Sequence, residues 1–223
     1  MYKWLSRTRM PPHTNDIETF WKNFWGAGFA GYSPNLIQSS VWKLRHFIHW
    51  VSSRVNEQRT DPVRHLNRRL VPARNIPPCT TCGEPLEDML HVFFGCRELF
   101  PVWQRYRPIL LNIINDNQNY TCLDLGLMFF TGHKKPNLRI RLAITVISFI
   151  IHHIWRLRCE NHYENTTHRA QDFIRQIDFA IRRFLYAKFV SAKRTDSIPK
   201  FQTTFAIQNI LCSVRNNKFH HVL

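Results

Sequence analysis

The segment from Cys79 to Cys96 constrains this chain more than any other, because it sets four metal-type donors at C-x2-C-x8-H-x4-C spacing. Three thiols and an imidazole make a complete tetrahedral set for zinc. The short gap between Cys79 and Cys82 lets one tight turn aim two sulfurs at one point. Gly83 follows at once, where the backbone must bend sharply. Pro77 and Pro78 stiffen the approach. Leu86 to Phe94 reads as a short helix carrying His91, and Gly95 is placed to stop that helix and swing Cys96 back. A catalytic zinc keeps one position for water. Four protein ligands, Cys79, Cys82, His91 and Cys96, instead describe a closed site for one structural Zn2+. Disulfides fit poorly, since three cysteines in one loop leave an odd thiol and Cys122, Cys159 and Cys212 are scattered through helix-like segments.

Residues around this segment extend the pattern. An acidic pair, Glu87-Asp88, precedes His91, Val92-Phe93 follows it, and Cys96 is followed by Val102-Trp103. In these features the chain resembles the zinc-binding domain at the C-terminal end of non-LTR retrotransposon reverse transcriptases. Upstream, Trp21-Lys22-Asn23-Phe24-Trp25 and the Trp- and His-rich stretch from Trp42 to Trp50 look like the region preceding the knuckle in that family. Downstream, Ile154-Trp155-Arg156-Leu157-Arg158, with Asn161 and Glu164, resembles the family's Trp-x-x-Arg-Asn helix, although Cys159 stands where Asn is common. The resemblance covers residues 17–165. It implies a role in gripping element RNA or target DNA during target-primed reverse transcription, in association with a reverse transcriptase domain.

Charge points to the same class of partner. The chain has 223 residues with 31 Lys and Arg against 15 Asp and Glu, a formal net charge of +16. Such an excess is a statement about partners more than about fold, and phosphate backbones are the commonest of them. An anionic membrane surface is the second candidate. Hydrophobic residues at 44% can build a core. The longest apolar run, Leu142 to Ile151, is about half of the ~20 residues a spanning helix needs. Arg139, Arg141, His152 and His153 flank it, so it reads as a buried helix and not as a transmembrane segment. Reduced thiols and no secretory signal suggest an intracellular protein, nuclear or cytoplasmic.

The spacing predicts an all-α fold, a helical domain with an embedded CCHC zinc knuckle. Three segments are expected: an N-terminal helical segment 1–70, the knuckle 71–110, and a C-terminal helical segment 111–223. Asn15 or Asp16, Ser33-Pro34 and Asp61-Pro62 mark N-terminal helix starts. Arg97 to Asn115 is helix-like, with Pro101 and Pro108 as starts or kinks, and Leu123 to Phe130 is an apolar run of no clear class. Asn137 starts a long helix through Glu164, and Thr166 or Thr167 starts another with Phe173, Ile177, Ile181, Phe184 and Leu185 on one face. Arg175, Arg182, Arg183, Lys188, Lys193 and Arg194 decorate that helix and its exit. A last helix is expected from Phe201 to Val214, before a basic tail.

Catalysis finds no support in the residues. The aspartates are spread singly, whereas a polymerase clusters them around two metal ions. No Tyr-x-Asp-Asp box, Gly-rich phosphate loop or Gly-x-Ser-x-Gly is present. His152-His153 is an adjacent pair whose side chains leave a helix in different directions. The expected function is therefore binding without polymerase activity. Arg64, Arg68, Arg69, Arg74, Arg97, Arg105 and Arg107 are the basic candidates near the metal, and Phe93 or Trp103 could stack on a base. Core packing is the stronger expectation for those two rings. The alternatives are a zinc-stapled protein-interaction module and a decayed retroelement fragment without activity.

Overall fold

The computed structural model describes residues 37, 78–85, 87, 91–115, 137–164 and 166–222. The helix starts expected before residue 71 and the apolar run from Leu123 to Phe130 lie outside the described residues, apart from Ile37, which is helical and buried. The described chain is mostly helical. A single π-helical turn, His91–Gly95, and a 3-10 turn, Arg97–Leu99, lead into α1 (Phe100–Ile114). Then follow α2 (Leu138–Tyr163), α3 (Ala170–Arg194), α4 (Ile198–Phe205), a 3-10 turn (Ile207–Asn209), and two short strands, β1 (Cys212–Arg215) and β2 (Lys218–His221).

The central element is α2. Asn137 caps it, its Oδ1 accepting from the Ile140 backbone amide at 2.8 Å. That satisfies one of the amides a helix N-terminus leaves without an intrahelical partner. Every residue from Leu142 to Ile151 is buried, so this stretch is covered all round by protein. Its two buried hydroxyls turn back onto their own helix: Thr145 Oγ1 donates to the Arg141 carbonyl at 2.8 Å and Ser148 Oγ to that of Ile144 at 2.7 Å. By length and composition α2 is the one described helix that could cross a membrane, but 67% of its most apolar window is buried inside the protein. A core helix accounts for the run, as its length and flanking charges predict.

Around α2 pack α1, α3 and α4. α1 turns Val102, Trp103, Tyr106, Leu110 and Ile113 inwards. α3 buries Phe173, Ile177, Ile181, Phe184, Leu185, Phe189 and Ala192, the face its sequence predicts. Each such side chain contributes roughly 1.5–3 kcal/mol on burial. The start of α3 lies later than Thr166 or Thr167. Asn161, buried on α2, accepts at Oδ1 from the His168 backbone amide (2.8 Å) and the Thr166 hydroxyl (3.4 Å). These bonds hold 166–168 as a connection. The helix begins at Ala170, where Asp172 accepts from the Arg169 amide at 2.9 Å.

The C-terminus corrects the all-α expectation. The helix from Phe201 to Val214 is absent. α4 ends at Phe205, and residues 212–221 form a two-stranded antiparallel sheet with Arg215 opposite Lys218. The connection is Asn216-Asn217, at φ 49° and 57°. Positive φ at both central residues of a two-residue loop is the geometry that matches the twist of paired strands, and Asn tolerates it. Phe219 fastens the hairpin to the helices, its ring 5.4 Å from Phe189 and 5.8 Å from Tyr186.

Candidate metal centre

Two short loops bring the four predicted ligands together. In the first, the Gly83 amide donates to the Cys79 carbonyl at 2.7 Å and the Cys79 amide to the Glu84 carbonyl at 2.8 Å. Gly83 sits at φ 77°, where a side chain would be strained. In the second, the Cys96 amide reaches back to the His91 carbonyl at 2.7 Å, closing a turn one residue wider than an α-turn. That π-turn returns Cys96 to the site. Gly95 itself does not adopt positive φ. Arg97 ties the halves together, donating from its guanidinium to the Cys82 carbonyl at 3.0 Å.

The donor atoms of Cys79, Cys82, His91 and Cys96 all lie within 4.8 Å of one another, and Cys82 Sγ is 3.3 Å from His91 Nε2. Zn–S bonds of ~2.3 Å in a tetrahedron separate sulfurs by roughly 3.8 Å. The cluster is thus close enough to hold a metal ion with small side-chain adjustments. Three sulfurs and one nitrogen are a donor set that fits zinc.

The electrostatics favour thiolate at Cys79 and oppose it at the other two sulfurs. A hydrogen bond from the Cys96 thiol is the largest influence on Cys79 and, with the backbone amides of Thr81 and Cys82, brings its pKa down to about 4 despite burial. Cys96, donating to that thiolate, is pushed up, and burial adds to the effect. Burial also raises Cys82. Each sulfur nevertheless receives a backbone amide, from Glu84 at Cys82 and from Glu98 at Cys96. Such donors favour the charged form that binds metal.

Below the cluster lies a support that joins it to α2. Glu87, fully buried, makes a two-bonded ion pair with Arg158, itself 3% exposed. Arg158 Nε donates to Glu87 Oε2 at 3.3 Å, and Nη2 donates to Oε1. Burial opposes the charge on Arg158, but the bonds and charge of Glu87 outweigh it and hold the guanidinium above its ordinary pKa. The Arg158 guanidinium also lies 5.2 Å above the Trp155 ring, which is stacked at 6.2 Å against Phe93. Trp103 Nε1 donates to the Phe93 carbonyl at 2.8 Å. Glu87, Phe93, Trp103, Trp155 and Arg158 therefore form one connected body under the ligands. Phe93 and Trp103 are buried core and offer no face to a base.

Neither Glu87 nor Arg158 stands out as a site residue in the sequence. The signal was the buried stripe of α2, Ile147, Ile151, Ile154, Arg158 and Asn161, in which a cation and an amide continue an apolar row at steps of four and three. Of the basic candidates, Arg64, Arg68, Arg69 and Arg74 lie outside the described residues. Arg97 braces Cys82, Arg105 lies 3.8 Å from Asp178 of α3, and Arg107 is half-buried on α1. Asp178 also accepts from the Tyr106 hydroxyl at 2.6 Å. Compared with family models, curated proteins and solved structures, the chain shows no match.

Proposed function

We propose that this chain is a zinc-binding, nucleic-acid-binding segment of a non-LTR retrotransposon reverse transcriptase, gripping RNA or DNA without polymerising it. One observation carries the reading. Two of the three parts of the sequence resemblance, the knuckle with Glu87 and Phe93 and the helix with Trp155 and Arg158, meet through a buried ion pair and a ring stack, the upstream part lying outside the described residues. These contacts seat the ligand cluster on α2, which supports reading the two parts as one unit. One zinc at Cys79, Cys82, His91 and Cys96 would staple the two loops, with about 10 kcal/mol or more of binding free energy acting as folding free energy. The net charge of +16 favours a polyanion as partner.

Two measurements test this. Protein purified without added metal should carry one zinc per chain, lost together with helical content in His91→Ala and Cys82→Ser. Zinc-loaded protein should bind RNA or DNA oligonucleotides with an affinity that falls steeply between ~50 and ~200 mM salt, because neutralising phosphates releases counterions. A chain without zinc whose fold ignores both substitutions sinks the metal site. Flat salt dependence favours contact with a protein through apolar helix faces.

A further inference from the structure

A second basic region lies towards the C-terminus, far in sequence from the metal ligands. Residues 179–223 hold eight Lys and Arg against one acidic residue, Asp196. α3 and the hairpin make up most of this region. The buried side of α3 faces α1, α2 and α4. Its opposite side carries Phe179, Arg183, Tyr186, Lys193 and Arg194, all exposed. Phe179 is 58% and Tyr186 55% exposed. They lie two turns apart on one face, a rise of about 10 Å. The Arg183 guanidinium sits 5.6 Å above the Phe179 ring. Tyr186 packs edge-on against Phe219 of β2. Arg183, Lys193 and Arg194 belong to no ion pair among the described residues.

From this arrangement we infer that the outer face of α3 is a binding surface for single-stranded nucleic acid. Phe179 and Tyr186 stack on bases while Arg183, Lys193 and Arg194 follow the phosphates. Rings interleaved with cations recognise a strand whose bases are unpaired, because each base offers a ring face whatever its identity. A duplex keeps its bases stacked inside and offers these rings nothing. The absence of acidic side chains along the face between Asp178 and Asp196 suits a polyanion and repels none of it. The inference rests on the nucleic-acid reading above and moves the contact surface from the knuckle to α3.

The test uses the full zinc-loaded chain and fluorescein-labelled single-stranded oligonucleotides of about 20 nucleotides, DNA and RNA, with the matching duplex and phosphatidylserine vesicles alongside. Phe179→Ala/Tyr186→Ala should weaken single-strand binding by at least about tenfold and duplex binding little. Phe179→Trp/Tyr186→Phe should restore it. Arg183→Gln/Lys193→Gln/Arg194→Gln should reduce the slope of log affinity against log salt by about 2, at ~0.7 per phosphate contact. The glutamine variant and Phe179→Trp/Tyr186→Phe should keep the parent's circular dichroism and urea midpoint, and the alanine variant, which gives up the Tyr186 contact with Phe219, should keep its circular dichroism with a slightly lower midpoint. If the parent binds oligonucleotides and the alanine and glutamine variants bind as well as it does, this surface is wrong and the nucleic-acid reading stands. Loss in the glutamine variant alone, with duplex and single strand bound equally, overturns the single-strand assignment. A parent that binds vesicles and no oligonucleotide overturns both readings.

Discussion

Neutralising Glu87 should damage this protein more than its distance from any surface suggests. Glu87 is 0% and Arg158 3% exposed, so solvent screens neither charge. Glu87→Gln keeps the volume and one acceptor but leaves the guanidinium buried without a counter-charge. Breaking one side of a buried pair costs roughly 3–5 kcal/mol, a large share of the ~5–15 kcal/mol by which domains are stable. Arg158→Met makes the reverse error, stranding a carboxylate, and falls in the same range. The double variant Glu87→Leu/Arg158→Met behaves differently. It removes both desolvation penalties, and with them Arg158 Nη1, which makes no hydrogen bond among the described residues. The lost contact of the guanidinium with Trp155 is worth about 0.5–2 kcal/mol, and a Met sulfur against the ring recovers part of it. Replacing a buried pair with apolar residues is often neutral or stabilising, so the double variant should lie within about 1 kcal/mol of the parent. Urea unfolding at saturating zinc measures this directly. With a slope of about 2–3 kcal/mol per molar, each single variant should lose about 1–2 M of midpoint and the double variant nearly none. Single variants within about 0.3 M of the parent, or a double variant as weak as their sum, would refute the claim that this pair is buried and coupled.

Three further outcomes follow from the same geometry. Gly83→Ala places a Cβ at φ 77°, a strain of about 1–2 kcal/mol that should appear as weaker zinc retention against a chelator, with Gly83→Asn losing less. Trp103→Phe leaves the Phe93 carbonyl without its buried partner and should cost about 1–3 kcal/mol in urea unfolding; an unchanged midpoint would show that the bond contributes nothing. Burial, with the nearby charges of His152 and Arg156, holds the His153 imidazole down at about 3, against ~6.5 when unfolded. Below pH ~6.5 the unfolded chain takes up a proton that the folded chain refuses, so stability falls as pH drops towards 3. His153→Phe should remove this loss, improving by about 2 kcal/mol relative to the parent between pH 7 and pH 5, and parallel stability curves for the two proteins would contradict it.

Much of the site was readable because its ligands are local. Cys79 and Cys82 share one turn and His91 and Cys96 another, so spacing alone announces their convergence. The α2 and α3 helices were legible for a similar reason: their apolar periodicity is long, and Asn137 is a recognisable cap. The hairpin was not, because strands of four residues are too short to show alternation, and Phe201, Phe205 and Cys212, at steps of four and seven, imitate a helical row. Asn216-Asn217 was the available signal, a pair that accepts positive φ twice in succession. Glu87 and Arg158 were hidden for a different reason. Their partnership spans 71 positions, and neither neighbourhood states that a charge there is buried.

That buried pair ties the two ends of the argument together. Glu87 lies between Cys82 and His91, so whatever orders the ligand loops also decides whether Arg158 finds its carboxylate. A metal that stabilises the loops therefore stabilises the position of α2, and by reciprocity of coupled equilibria Arg158 must strengthen metal binding by the same free energy. Arg158→Met should then weaken zinc binding although it touches no ligand. The chain behaves, on this account, as a cluster and a helix that each lack a stable partner without the other. The outer face of α3 stays outside that coupling, since its exposed rings and cations touch neither the ligands nor Arg158. Substitutions on that face should therefore leave zinc affinity at the parent's value.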